Sequence, residues 1–144
     1  MPPCSKLFLK LTPLLFLFSQ LAQAFCVYNK LEGERVSIKV SNLHTTAPTK
    51  RMFTKTIAQG ERECCPYTNE DCVSGGQRDS PIILSVYFAF DLLEMWEVKR
   101  QYVVHCEGGA GIVLTGSDYN NIEATCFKAN RNFTREKLEH WTLA

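Results

Sequence analysis

The amino-acid sequence predicts an all-β fold, an antiparallel β-sandwich or small barrel of about seven or eight short strands held by three disulfides. Three observations carry that expectation. Apolar and polar residues alternate over short stretches, turn signals recur about every ten residues, and Cys26, Cys64, Cys65, Cys72, Cys106 and Cys126 form an even set of cysteines. At 144 residues the chain suits one domain and is too short for two separate cores.

The start of the chain reads differently from the rest. Met1 to Lys10 carries Lys6 and Lys10 and no acid, Leu11 to Phe18 is apolar apart from Thr12 and Pro13, and Ala22 and Ala24 place small residues three and one before a cleavage point. This pattern predicts a secretory signal peptide over 1–24, cleaved after Ala24, and a secreted, extracellular product. A membrane-spanning helix needs roughly 20 apolar residues, whereas Pro13, Ser19, Gln20 and Gln23 interrupt this run. Losing the leader removes Cys4 and leaves the even set, which the oxidising secretory route favours as disulfides. Losing Lys6 and Lys10 also turns the formal charge from +1 to −1. A near-neutral chain lacks the basic surface that nucleic-acid binding requires, and no apolar C-terminal tail signals a lipid anchor. Neither nucleic acid nor a membrane anchor is therefore expected.

The remaining chain divides into a disulfide-stapled β domain over 25–129 and a C-terminal tail over 130–144. Phe25 to Tyr28 opens with β-favouring residues, and Val36, Ile38 and Val40 alternate with polar neighbours as a half-buried strand does. Met52 to Ile57 reads as a third strand. Pro66 and the Gly75-Gly76 pair argue against regular structure between Gly60 and Gly76. Pro81 introduces the most apolar run, Ile82 to Phe90, rich in β-branched and aromatic residues and expected at the centre of a sheet. Asp91 to Glu97 fits either a helical turn or a wide loop. Strands are expected within Val98–Cys106, Ile112–Thr115 and Ile122–Phe127, with Gly108-Gly109-Ala110-Gly111 as a hairpin turn. In the tail, Phe133, Leu138 and Trp141 stand among charged residues after the N-cap candidates Asn132 and Thr134, a pattern for a short amphipathic helix packed on the domain. Asn132-Phe133-Thr134 is also a glycosylation acceptor.

Adjacent Cys64 and Cys65 must reach different partners, because disulfide geometry wants Cα atoms roughly 5–6 Å apart with converging side chains. Six cysteines allow fifteen pairings; the expected set is Cys65–Cys72, Cys64–Cys106 and Cys26–Cys126. A zinc site from Cys64, Cys65, Cys72, His105 and Cys106 lacks the paired ligand spacing of structural zinc. Asn69, Glu70, Asp71 and Asp79 offer calcium its oxygen ligands without the spaced pattern of a dedicated loop. No metal or other cofactor is expected.

Catalytic signals are equally sparse. His44, His105 and His140 lie in no nucleophile context, and Gly-x-Ser-x-Gly is absent. Glu61 with Glu63, or Glu94 with Glu97, would supply the carboxylate pair of a glycosidase. The glycine run at 108–111 lacks the Lys-Ser/Thr of a phosphate loop. Lys50-Arg51 and Lys99-Arg100 read as surface charges before processing sites.

Phe25-Cys26-Val27-Tyr28-Asn29-Lys30, the Phe53, Ile57 and Gly60-Glu61 spacing, and Cys64-Cys65-Pro66-Tyr67-Thr68-Asn69-Glu70-Asp71-Cys72 together resemble small secreted cysteine-rich proteins of filamentous fungi. The resemblance spans 25–72 and implies an effector-like protein without established chemistry. The leading expectation is a non-enzymatic extracellular binding protein with a host or other extracellular protein as partner. Tyr67 and Glu70 of the stapled loop, and Trp141 of the tail, are its contact candidates. A polysaccharide-binding β-sandwich that stacks sugars, including cell-wall polysaccharide, on Tyr67, Trp96, Tyr119 or Trp141 is the second reading. A small secreted hydrolase is the third.

Overall fold

Alternation of apolar and polar residues, carried through to register, sorts the strands into two facing sheets. The computed structural model describes residues 24–33, 35–43, 51–89 and 101–139. In chain order the strands are β1 (Ala24–Leu31), β2 (Ser37–Asn42), β3 (Thr54–Ala58), β4 (Arg62–Pro66), β5 (Pro81–Ala89), β6 (Gln101–Glu107), β7 (Gly111–Gly116), β8 (Glu123–Phe127) and β9 (Phe133–Lys137). A five-stranded sheet runs β4-β1-β7-β8-β9 and a four-stranded sheet runs β3-β2-β5-β6. Every neighbouring pair is antiparallel except β1 and β7, which run parallel. The fold is all-β, as the sequence predicts, with a sandwich arrangement.

The core is the product of period-2 alternation in both sheets. Phe25, Val27 and Leu31 of β1, Ile112 and Leu114 of β7 and Ala124 of β8 are buried in one cluster with Ile38 and Val40 of β2, Leu84, Val86 and Phe88 of β5, and Tyr102 and Val104 of β6. Each large side chain so buried contributes about 1.5–3 kcal/mol relative to exposure. Edge-to-face ring contacts, Phe25 with Phe53 at 5.2 Å and Phe88 with Tyr102 at 5.0 Å, order the packing further.

Polar groups inside the sandwich are satisfied. Fully buried Asn29 donates through Nδ2 to the carbonyl of Ile57 at 3.0 Å and to that of Val36 at 3.4 Å, while its Oδ1 accepts from the Leu31 amide at 3.2 Å. It thereby ties β1 of one sheet to β3 of the other. Buried Asn42 donates to the carbonyl of Cys72 and anchors the cysteine loop on β2. Tyr102 donates to the Tyr119 carbonyl and Tyr119 to the Phe88 carbonyl, at 3.1 and 3.3 Å, which fastens the β7–β8 connection over the end of the core.

Two of the three disulfides differ from the expected set. Successive strand residues point to opposite faces, so Cys64 turns outward and bonds Cys26 directly opposite it on β1, while Cys65 turns inward and bonds Cys72, the pair the sequence predicts. Cys106 of β6 and Cys126 of β8, both buried, join the two sheets. The expected Cys26–Cys126 link is ruled out by geometry: Cys26 faces outward, Cys126 inward, and β7 separates them by about 10 Å. Cys64–Cys106 fails because Cys64 faces away from the other sheet.

Three further expectations are corrected. Arg62–Pro66 is a strand despite its proline, because Pro66 closes the end of an edge strand, where a missing amide is tolerated. Phe133–Lys137 is strand β9 rather than helix, since its backbone completes the ladder of β8. The turn at Gly108-Gly109 carries the chain from one sheet to the other instead of closing a hairpin within one. It needs glycine for close approach: a Cβ on Gly108 would lie 2.7 Å from the Gln77 carbonyl oxygen, and the Gly108 amide donates to Ser80 at 2.9 Å. Residues 1–23 of the leader, Asp91 to Glu97, Lys99-Arg100 and Trp141 lie outside the described residues, whereas Ala24, the last residue of the expected leader, begins β1 opposite Pro66.

Candidate functional site

On the five-stranded sheet, the residues that alternate with the buried ones form its outer face. Register sets them in rows across the strands. One row is Arg62, Tyr28, Val113, Thr125 and Arg135. Its neighbour on one side is the Cys64–Cys26 disulfide, Gly111, Phe127 and Phe133. On the other side lie Lys30, Thr115, Glu123 and Lys137.

The middle of this face is low and its flanks are high. Gly111 has no side chain, and the Tyr28 ring leans over it, with Cε2 3.7 Å from where a Cβ would stand. Val113, Thr115 and Thr125 are short β-branched residues. On one flank the Arg62 guanidinium lies over the Tyr28 ring at 5.7 Å, a cation–π arrangement, and Arg62 Nη1 donates to the Tyr28 hydroxyl at 3.5 Å. On the other flank the rings of Phe127 and Phe133 pair at 6.0 Å and remain 48% and 61% exposed. The result is a shallow trough between Tyr28 and the phenylalanine pair. Its cations are Arg62, Lys30, Arg135 and Lys137, and its acid is Glu123, which sits 3.8 Å from Arg135. Arg135 also donates to Thr125 Oγ1 at 3.4 Å. Arg62 and Arg135, four strand spacings apart, stand about 19 Å apart across the face.

The exposure of β9 follows from a mismatch in sheet width. Five strands face four, so both faces of β9 are exposed along its length. Asn132, the acceptor asparagine, is exposed at the base of the β8–β9 hairpin, where Arg131 adopts a positive φ of 69° and the Lys128 amide donates to the Asn132 carbonyl at 2.8 Å.

At the β4 edge, Tyr28, Lys30, Gly60, Glu61, Arg62 and Glu63 line an open depression of about 570 Å³. Glu61 and Glu63 thus border one site, as a glycosidase pair would. Glu61 is exposed, however, and Glu63 lies half-exposed 3.9 Å from Lys55.

The other sequence candidates are scattered. Tyr67 and Tyr119 are partly buried against the core, so neither is a free stacking platform. Glu70 is exposed near the tip of the stapled loop, with its own interactions there. His105 is exposed on β6, while His44, His140, Glu94, Glu97, Trp96 and Trp141 lie outside the described residues. The cysteines of the zinc alternative are disulfide sulfurs. Among the described residues no three His, Cys, Asp or Glu side chains converge as metal ligands, Asp71 and Asp79 included. No helix there is long and apolar enough to cross a membrane.

Sequence reasoning missed Tyr28, Arg62, Phe127, Phe133 and Arg135 as a group. One signal was present: Phe127 falls out of phase with Ile122, Ala124 and Cys126, which alternation assigns to the core, so its ring belongs to the opposite face. The described residues thus form a disulfide-stapled β-sandwich with an open aromatic and cationic face. No family description, curated protein or solved structure matches the chain.

Proposed function

We propose that this chain is a secreted, non-enzymatic binding protein that engages an extracellular partner through the outer face of the five-stranded sheet. The observation that carries the reading is the exposed Phe127–Phe133 pair, set with Tyr28 and Arg62 on one continuous face. Aromatic residues and arginine are the side chains that binding surfaces concentrate, because rings desolvate large areas with few rotatable bonds and the planar guanidinium offers five donors in a fixed fork. Three disulfides support an oxidising destination. The resemblance to effector-like fungal proteins agrees with a role in contact rather than chemistry. Asn132, exposed on the hairpin beside this face, is the position for an N-linked glycan.

The experiment passes extracellular protein and polysaccharide fractions over the immobilised protein and over Phe127→Ala/Phe133→Ala. Both rings are exposed, so the variant is expected to melt with the parent and to lose at least about tenfold in partner retention. Equal retention by the two proteins would refute the assignment of this face. Measurable turnover of a retained polymer would refute the non-enzymatic reading.

A further inference from the structure

We infer that the partner of this face is an acidic polysaccharide, a polymer of uronic or similarly charged sugars lying across the strands, from Tyr28 over the shallow floor to the Phe127–Phe133 pair. The inference rests on the binding face proposed above and names its ligand class.

Shape comes first. A floor of Gly111, Val113, Thr115 and Thr125 between ring-bearing flanks admits a flat, ribbon-like chain, and aromatic rings cover the apolar faces of sugar rings. Charge narrows the class. Arg62 and Lys30 on one flank and Arg135 and Lys137 on the other outnumber the acids beside them, Glu123 in the rows and Glu61 and Glu63 at the β4 edge, where Glu63 already has Lys55 at 3.9 Å, although the whole chain is almost neutral. Cations at both ends of a span of about 19 Å favour a ligand whose charge repeats along its length. Guanidinium groups pair with carboxylates in two-pronged fashion, which suits a uronate.

Hydrogen bonding separates sugar from peptide. Backbone groups of β1, β7 and β8 are committed to their neighbours on both sides. An extended acidic peptide laid on this face would find no ladder for its own amides and carbonyls, which peptide recognition by β-structure ordinarily supplies. A polysaccharide has no such groups to satisfy, and its hydroxyls can bond Thr115 and water.

The test titrates the intact protein, purified from a secreting host, with polygalacturonate, a neutral β-glucan, poly-glutamate and single-stranded oligothymidylate. Polygalacturonate is expected to bind, the neutral glucan at least about tenfold more weakly, and binding is expected to fall as salt rises from about 0.05 M to about 0.5 M. Arg62→Gln/Arg135→Gln and Phe127→Ala/Phe133→Ala should each weaken it about tenfold or more, whereas Glu123→Gln should tighten it by removing the opposing charge. Equal binding of neutral glucan, tighter binding of poly-glutamate or oligothymidylate, or indifference to the ring variant would overturn the inference. If no polysaccharide binds but a protein partner is retained through Phe127 and Phe133, the ligand class is wrong and the binding face stands. If nothing depends on those rings, both fall.

Discussion

Cys106 on β6 and Cys126 on β8 face one another across the core, and their disulfide is the one that joins the two sheets among the described residues. With a sequence separation of 20, it restricts the unfolded chain by about 3 kcal/mol in the chain-entropy model. Cys106→Ala/Cys126→Ala should therefore lower the unfolding free energy by about that amount. The shorter Cys65–Cys72 closure, with a separation of 7, should cost less, about 2 kcal/mol. Denaturant titration of the two double variants checks the order, and non-reducing peptide mapping checks the pairing itself.

Asn29 joins the sheets by hydrogen bonds rather than covalently. Asn29→Leu leaves the Ile57 carbonyl and the Leu31 amide without their side-chain partner in a buried site, at a cost of about 3 kcal/mol. Asn29→Asp should be worse near neutral pH, because burial raises the pKa of a carboxyl and penalises its charged form. Its folded pKa would lie above the unfolded one, so stability is retained at low pH and lost as pH rises. Melting curves from acid to neutral pH distinguish this slope from the flat loss of the leucine variant.

Two adjacent glycines should respond differently to alanine. At Gly108 the added Cβ meets backbone oxygen of Gln77 at 2.7 Å and the Val73 methyls at 2.9 and 3.1 Å. Val73 is fully buried, so neither neighbour can retreat cheaply and Gly108→Ala should cost about 2–3 kcal/mol. At Gly109 the closest obstacle is Cγ of exposed Arg78, which a change of the Arg78 rotamer can clear, with the Arg78 carbonyl oxygen next at 3.2 Å. Thermal melting should rank Gly109→Ala as clearly the milder change.

Asp118 organises the β7–β8 connection. The Asn120 amide at 2.8 Å holds its carboxyl below the ordinary range, helped by the side chains of Asn121 and Ser117. A folded pKa below the unfolded one means that the stabilisation is present above the unfolded pKa and fades as pH falls through the folded one. Asp118→Ala should therefore melt below the parent at neutral pH, and the gap should close in acid. A gap that stays constant with pH would contradict the role assigned to the carboxylate.

Reading the face from sequence was harder than reading the fold. The strand β5 and its central place were legible because Ile82, Leu84, Val86 and Phe88 are apolar at alternate positions. The strands β4 and β9 were not. Pro66 masks the one, and the other is exposed at every position from Phe133 to Lys137, so no alternation marks it. Tyr67 and Tyr119 looked like fully exposed rings, and only packing against the core shows that each is partly buried. Tyr28, 85 positions before Val113, became its neighbour through a parallel pairing that local pattern does not encode.

What the sequence by itself determined is the all-β class, most of the strands and the pairing of Cys65 with Cys72, because each depends on alternation or on residues close together in the chain. Tertiary structure decided the other two disulfides and the composition of the open face. Those depend on which strands become neighbours and which of two faces each residue takes, and a single step of register reverses every side chain from core to solvent.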